Sequence, residues 1–508
     1  MERHNVFKIR TVTAFVTLRP PSQKHHNNNN NDHPDWMLLE MEQTLQRAAR
    51  GVRKVAEALV EEGYKVQTVR IATNPFPEWL LGDLLVSSSW PSSSDRTGME
   101  EEEKGVTNKQ TRNTMKQQLD IIDEESKEIV RQRLCRIDQV LEKENIDFCS
   151  LGPANDNDDD YFGSVTITHA VIRTICPLII QTSGRLACSA SLPNNHDPQT
   201  AHVIAQCVWN ISQLGGTTTT TGSGSFEDQS HIANGLGNFR FCMAAATKPY
   251  IPFFPVAKAA SWKNVKTTAA LTNHHPTTIK FAIGLENGEM AWHRLKQAKT
   301  IANIPGLFKS AIQQDILPVQ EICQRVVSLS SVSDDDTGPL LEYVGIDTSL
   351  NPSLDSQGSV ARAIEQLDEV VDHVLGKPGT VAAAAVITEA LQSLPNIKLT
   401  GYCGLMLPLC EDQRLAELAN AGSIGIDTLL SISHVCGVGI DTVPISGKDE
   451  DGSERALASL LLDVAGVAHR WKKQLSCRVF PVPGKSHGEM TSFDSPHMVN
   501  ARILPLSR

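Results

Sequence analysis

The chain has 508 residues, a formal net charge of −11 and 21% charged residues. Its apolar content of 40% is typical of a globular protein, which excludes wholesale disorder. The acidic balance, the scattered Lys and Arg residues and an aromatic content of 5% argue against a nucleic-acid partner.

Strand-like runs and amphipathic helices alternate along the chain, which predicts an α/β protein with mostly parallel strands. The apolar patterns predict strands at residues 7–18, 66–72, 146–151, 186–190, 239–245, 279–284, 341–348, 438–445 and 477–482. They predict helices at residues 36–63, 115–143, 199–214, 359–375, 381–392 and 453–473.

Location is predicted from the cysteines, the N-terminus and the apolar runs. The 11 cysteines show no short repeated spacing, which favours a reducing compartment. Residues 7–18 alternate like a strand and do not resemble a targeting segment. No run reaches the ~18 apolar residues that span a bilayer. We therefore expect a cytoplasmic protein without a membrane partner.

Four polar segments interrupt the pattern, near residues 21–35, 87–112, 155–160 and 215–225, and each is interpreted as a solvated insertion. The Gly/Thr tract at 215–225 lacks the Gly-Lys-Ser/Thr ending of a nucleotide loop. No nucleotide or metal motif stands out, so the cofactor stays unknown and no metal site is assigned. We expect a single domain over residues 7–493 and a C-terminal tail at 494–508.

The tetrapeptide Gly-Ile-Asp-Thr occurs three times, at residues 345–348, 425–428 and 439–442. The first and last copies follow short apolar runs, which predicts that Asp347 and Asp441 lie at strand ends, where α/β proteins place ligand-binding groups. The middle copy is predicted to begin a helix. We expect Asp347 and Asp441 to face one cavity and to transfer protons.

The loop after Asp347 contains Asn351 and leads through Ser359 into a predicted helix. The free amides of a helix start can hold a carboxylate or a phosphate, so Asn351 and Ser359 are candidate ligand-binding residues. The alternative is that Asp347 and Ser359 only cap turns.

Two further groups of residues are candidates. Lys485, His487 and Glu489 share a Gly-flanked loop, which offers a cation and a general acid or base, or is only a solvated turn. Arg10 and Arg70 lie in apolar strand-like runs, where a buried guanidinium needs a carboxylate or an anionic ligand as its partner.

Cys436 is a candidate reactive thiol, with a packing role as the alternative.

Several short runs resemble, in order and spacing, the domain-of-unknown-function 711 family over about residues 7–493. The matching runs include Lys-Ile-Arg-Thr-Val-Thr from residue 8, Thr-Ser-Gly-Arg-Leu-Ala-Cys-Ser from 182, the Gly-Ile-Asp-Thr copies at 345 and 439, and Pro-Gly-Lys from 483. The polar insertions resemble those of plant-type members.

This resemblance implies a closed ten-stranded α/β barrel with helices outside, similar to the barrel of pyruvate formate-lyase-like glycyl radical enzymes. The glycyl motif of those enzymes, Arg-Val-x-Gly followed by an aromatic residue, does not occur in this sequence. Radical chemistry is therefore not expected.

Two functions remain. The first is a non-radical lyase or isomerase that binds a small anionic metabolite through Arg10, Arg70 or Lys485 and transfers a proton through Asp347, Asp441 or Glu489. The second is a non-catalytic ligand-binding or regulatory protein that acts with a partner chain. Assembly into a homo-oligomer is compatible with both.

Overall fold

A computed structural model describes residues 7–20, 35–82, 84, 122–156, 164–216, 229–264, 278–330, 339–448 and 453–506. The insertion predicted near 87–112 lies outside these ranges, as does the one near 21–35 except for its last residue. Of the insertions near 155–160 and 215–225, only residues 155–156 and 215–216 lie within the described part.

The described residues form one nine-stranded mixed sheet with the order β7-β6-β1-β2-β3-β4-β5-β9-β8. The strands are β1 (Lys8–Val16), β2 (Val69–Thr73), β3 (Phe148–Pro153), β4 (Leu186–Ser191), β5 (Phe241–Ala245), β6 (Ile279–Glu286), β7 (Leu341–Asp347), β8 (Gly439–Gly447) and β9 (Leu475–Pro483). Each corresponds to a strand predicted from the sequence. Strands β1 to β5 are parallel, whereas the parallel pairs β6–β7 and β8–β9 run antiparallel to them.

The α-helices are α1 (Asp35–Glu61), α2 (Phe76–Leu80), α3 (Glu124–Lys143), α4 (Val165–Thr182), α5 (Pro198–Gln213), α6 (Gly288–Ala298), α7 (Ile304–Leu307), α8 (Gln313–Ser330), α9 (Val360–Ile364), α10 (Thr380–Gln392), α11 (Gln413–Asn420), α12 (Ile426–Ser433) and α13 (Ser453–Trp471). The prediction of a helix at 359–375 is wrong in its length, because the observed helix α9 is much shorter. It ends after Ile364, and a turn follows in which Asp372 has a φ of 56°, which no right-handed helix accommodates.

The two faces of the sheet carry side chains of different size. Large apolar residues such as Ile71 and Phe281 point outward into the main core with the helices. Where the loop 246–261 lies against it, the inner face carries mostly small residues such as Ala72 and Ala282. Ser150 Oγ donates to the carbonyls of Pro255 (3.1 Å) and Ala257 (2.7 Å). Small inner side chains leave room for this loop, which fills one end of the space inside the curved sheet.

Segment 399–408 lies between the two edge strands, β7 and β8. Isolated bridges join Leu399 to Ile346, Leu405 to Leu350, and Pro408 to Asp441. Positive φ angles at Gly401 (76°) and Cys403 (49°) prevent the segment from being a regular strand.

The mixed α/β class is therefore confirmed. A closed ten-stranded barrel is not confirmed, because no continuous ladder joins β7 to β8. The similarity to the glycyl-radical-enzyme barrel stays a prediction.

Helix α4 is long and apolar enough to cross a membrane, by length and composition only, whereas no such segment was expected from the sequence. Its 18 residues have the required length and hydropathy, and half of this window is buried inside the protein. The helix packs against α3, α5 and β4. A core helix meets the same criteria, so this composition is weak evidence for a membrane span.

As predicted, the first and last copies of Gly-Ile-Asp-Thr are associated with strands, and the middle copy begins a helix. Gly345 and Gly439 lie in β7 and β8 with φ angles of 145° and 109°, which favour glycine. Gly425 is the N-cap of α12 with a φ of −142°. The same four residues therefore serve two local structures.

We predict that Gly439→Ala destabilises the protein by at least about 2 kcal/mol, because alanine is strained at this φ and its Cβ would lie 2.1 Å from the carbonyl oxygen of Ser476. The matched control is Gly425→Ala, where no atom lies within 4 Å and the cost should stay below about 1 kcal/mol. Urea unfolding at 25 °C measures both. Equal losses of stability in the two variants would contradict the different backbone conformations assigned to Gly439 and Gly425.

Candidate functional site

A cavity of about 650 Å³ lies against the inner face of the sheet, at the N-terminal ends of β1 to β5. Its wall combines apolar and aromatic side chains with six basic and four acidic ones. The charged residues are Lys8, Arg10, Lys65, Arg70, Arg240, Arg478, Glu286, Asp355, Glu411 and Asp441. Such a concave space with a few convergent charges is typical of a small-molecule site.

Arg478 on β9 connects two carboxylates of this wall. Its Nε donates to Asp441 Oδ1 (2.6 Å), and its Nη2 donates to Asp441 Oδ2 (3.1 Å) and to Glu411 Oε1 (2.9 Å). Burial alone would lower the pKa of Arg478, but Asp441 and Glu411 outweigh it and hold that pKa above the usual value. The guanidinium is therefore a fixed positive charge.

A β-bulge positions Asp441. The register between β8 and β9 shifts between Ile440 and Val443. Thr442 has a φ of 46°, which is rare for a β-branched residue. The Thr442 hydroxyl accepts the N–H of Cys410 (3.2 Å), one residue before Glu411. Bulges and strained residues of this kind often lie next to functional groups.

Arg10 extends the charge network across the cavity. Its Nη1 donates to Glu286 Oε2 (3.0 Å) and its Nη2 lies 3.7 Å from Glu411 Oε2. Glu411 therefore lies between Arg10 and Arg478. Burial raises the pKa of Glu411; Arg478 opposes this, Asp441 adds to it, and the net shift is upward.

Arg70 is a buried cation of this wall that has no carboxylate counterion among the described residues. It is only 7% exposed, and no carboxylate oxygen of the described residues lies within 4.0 Å of it. Its Nε donates to Thr68 Oγ1 (2.9 Å), and the guanidinium lies between the rings of Phe148 (5.4 Å) and Phe254 (5.2 Å). Burial, followed by the charge of Arg10, lowers the pKa of Arg70 to about 9.

His497 lies at the rim of the cavity, in the segment assigned from the sequence as a tail. Its ring stacks on Phe239, with centroids 6.3 Å apart. Partial burial and the charges of Arg10 and Arg70 lower the pKa of His497. The imidazole is therefore mostly neutral at pH 7, as a proton acceptor must be.

The structure places four of the predicted site residues on the cavity wall and six elsewhere. Those on the wall are Arg10, Arg70, Asn351 and Asp441. Asp441 is the third residue of β8 and not at its end as expected, because the strand continues beyond the bulge to Gly447.

The expectation that Asp347 shares the cavity with Asp441 is wrong. Asp347 is fully buried and accepts hydrogen bonds from Ser349 N–H (3.0 Å) and Oγ (2.6 Å), Tyr402 N–H (2.8 Å) and Cys403 N–H (3.0 Å). Burial raises its pKa and these hydrogen bonds lower it, with a net upward shift. Asp347 anchors segment 399–408 to the end of β7.

Ser359 and Cys436 lie away from the cavity wall. Ser359 Oγ accepts the N–H of Arg362 (3.1 Å) and donates to Asp412 Oδ1 (2.6 Å). Ser359 therefore caps helix α9, in agreement with the alternative that it serves only as a cap. Cys436 is buried, and burial raises the pKa of its thiol. A raised pKa disfavours the reactive thiolate.

The loop with Lys485, His487 and Glu489 is a surface turn. Lys485 Nζ donates to the carbonyl of Met490 (2.6 Å), and Glu489 Oε2 accepts the N–H of Ser486 (2.6 Å). None of the three lines the cavity.

The wall residues missed from the sequence include Glu286, Glu411, Arg478, His497 and Tyr402, whose hydroxyl donates to Ser476 Oγ (3.1 Å). Arg478 carried a usable signal, since it lies in an apolar strand-like run as Arg10 and Arg70 do. Among the described residues, no cluster of three or more His, Cys, Asp or Glu side chains is placed to hold a metal ion.

The fold and the site define an α/β protein with a charged internal cavity. Residues 1–89 and 93–495 match the family described as Uncharacterised ACR (DUF711), and the chain belongs to this family.

Relatives named UPF0210 protein match parts of the chain. The protein of Desulforudis audaxviator is 26% identical over 65% of this chain and 77% of its own length. The protein of Limosilactobacillus reuteri is 26% identical over 40% of this chain and 48% of its own length. The protein of Syntrophobacter fumaroxidans is 32% identical over 37% of this chain and 44% of its own length. The chain thus spans about half the length of the last two.

We predict that Arg478→Gln costs about 3–5 kcal/mol of stability, because it leaves two buried carboxylates without their counterion. The loss should grow from pH 5 to pH 8. Removing Arg478 raises the folded-state pKa of Glu411 further above its unfolded value, and such a group loses its stabilising contribution as pH rises through the folded pKa.

The matched control is Arg362→Gln, whose partner Glu417 is about as exposed as Arg362 itself, at 37% and 36%. It should cost less than about 1 kcal/mol. Chemical denaturation at both pH values measures the two variants. A pH-independent loss in Arg478→Gln would argue against the buried carboxylate pair.

Proposed function

We propose that this protein binds a small anionic metabolite in the cavity and converts it by non-radical acid/base chemistry of the lyase or isomerase type. The observation that carries the proposal is Arg70, a buried cation on the cavity wall without a carboxylate partner among the described residues. A buried charge is costly unless it is paired, so an anionic ligand is the partner this site favours.

Proton donors and acceptors lie on the same wall. Glu411, whose pKa is raised, is suited to donate a proton, and the neutral ring of His497 is suited to accept one. Asp441 accepts from the same Arg478 Nη2 as Glu411, and its charge adds to the raised pKa of Glu411. Lyases and isomerases need this removal and return of a proton.

A nucleophilic mechanism has less support. Cys242 lines the cavity, but burial raises the pKa of its thiol. Ser476 Oγ accepts a hydrogen bond from Tyr402, and no imidazole of the described residues activates it. The wall therefore favours proton transfer over attack by a side chain.

The second candidate is a non-catalytic ligand-binding or regulatory protein that acts with a partner chain. It is favoured by the arginine partners of Asp441, Glu286 and Glu411, because fully paired carboxylates also suit a rigid binding pocket. A cytoplasmic location and a homo-oligomeric state are compatible with either function and stay predictions.

We predict that the purified protein carries a small anion, and that Arg70→Gln reduces its amount at least about tenfold, as expected when a charge-assisted contact worth about 1.4 kcal/mol or more is lost. Mass spectrometry of the denatured supernatant measures the anion. The control is Arg173→Gln, which removes a half-buried arginine outside the cavity wall. Equal retention by both variants would refute the proposed site.

Glu411→Gln separates the enzyme from the binder. If Glu411 transfers a proton, conversion of the bound compound should fall about 10²- to 10⁴-fold, while its binding changes far less. The control is Glu417→Gln on the surface of α11. Conversion that is unaffected by Glu411→Gln would exclude this residue as the acid, and the absence of any conversion by the unmodified protein would favour the binder.

A further inference from the structure

The pairing of the charged wall residues limits the charge of the ligand. Lys8, Arg10 and Arg478 are paired with Glu286, Glu411 and Asp441. Arg240 is also committed, because it donates to the backbone carbonyls of Ser183, Leu186 and Ile180. Arg70 is then the buried cation of the described wall that keeps free N–H donors. It offers a partner to one anionic group, whereas a second anionic group would be desolvated without a partner.

The surroundings of Arg70 limit the shape of the anionic group. The rings of Phe148 and Phe254 lie over the guanidinium, and Thr68 occupies its Nε. No hydrogen bond joins Nη1 or Nη2 to the described residues. Two parallel N–H donors in a fixed plane match the two oxygens of a carboxylate. A phosphate presents three oxygens, and the neighbouring Arg10 and Arg478 are engaged with carboxylates.

The rest of the wall limits the body of the ligand. The apolar side chains of the cavity wall include Phe148, Phe253, Phe254, Val256, Met406 and Val438. A polyhydroxylated body would lose its hydrogen bonds to water against these side chains without replacing them. A flat apolar body can pack against these side chains without losing hydrogen bonds.

We propose that the ligand is a small monocarboxylate with an apolar or aromatic body, held by Arg70 between Phe148 and Phe254. This proposal rests on the proposed function and specifies its substrate class. Sugar phosphates and dicarboxylates are then poor ligands, although they are small anions.

Calorimetric titration of the full chain at pH 8 with three probes tests this inference. Benzoate is an aromatic monoanion, phenyl phosphate a dianion with the same ring, and isophthalate a dicarboxylate on that ring. We expect benzoate to bind at least about tenfold more tightly than either dianion, a difference of about 1.4 kcal/mol. This comparison needs no variant, so it does not depend on the folding of a mutant.

Two variants assign the preference to Arg70. Arg70→Gln should abolish benzoate binding, and Arg70→Lys, which keeps the charge but loses the planar fork, should weaken it about tenfold. Arg173→Gln should bind as the unmodified chain does, and circular dichroism confirms that each variant is folded.

The outcomes separate the two proposals. If phenyl phosphate or isophthalate binds as tightly as benzoate and its binding needs Arg70, the monocarboxylate inference falls and the anion-binding site stands. If no probe binds, or if folded Arg70→Gln binds all three as the unmodified chain does, both proposals fall.

Discussion

The site depends on one buried carboxylate that does not belong to it. Asp347 accepts three backbone N–H groups and one hydroxyl, and two of those N–H groups belong to Tyr402 and Cys403. These contacts fix segment 399–408 between the edges of the sheet, although the segment is not a regular strand. Because that segment leads directly into Glu411, the position of a proposed proton donor is set by a residue outside the cavity.

The charged wall is arranged so that positive and negative groups alternate. Arg10 lies between Glu286 and Glu411, and Arg478 lies between Glu411 and Asp441. Buried ion pairs contribute little net stability, because desolvation offsets their attraction. The alternation fixes geometry more than it adds to the free energy of folding. It leaves the buried Arg70, whose Nη groups have no partner among the described residues, available to a ligand.

Local patterns carried the information about strands and about Arg10, Arg70 and Asp441. An alternation of apolar and polar residues, or a charged residue inside an apolar run, can be recognised from a few neighbouring residues. The same reasoning could not separate Asp347 from Asp441, since both lie in Gly-Ile-Asp-Thr. The two residues differ in their long-range partners. The backbone N–H groups of residues 402 and 403 donate to the carboxylate of Asp347, whereas a β-bulge beside Arg478 places Asp441 in the cavity. His497 gave no local signal, because its role comes from tertiary packing alone.

The pairing of β1 with β6 has a consequence for the synthesis of this protein. Lys8 and Glu286, which form an ion pair, are 278 residues apart, and the wall is completed only by Arg478 and His497. While the chain is synthesised on the ribosome, strand β1 therefore lacks its neighbour β6 for most of translation. Long-range pairing of this kind folds slowly and leaves strand edges open to aggregation. Overproduction of the chain should accordingly benefit from slow synthesis and from chaperones that bind unpaired strands.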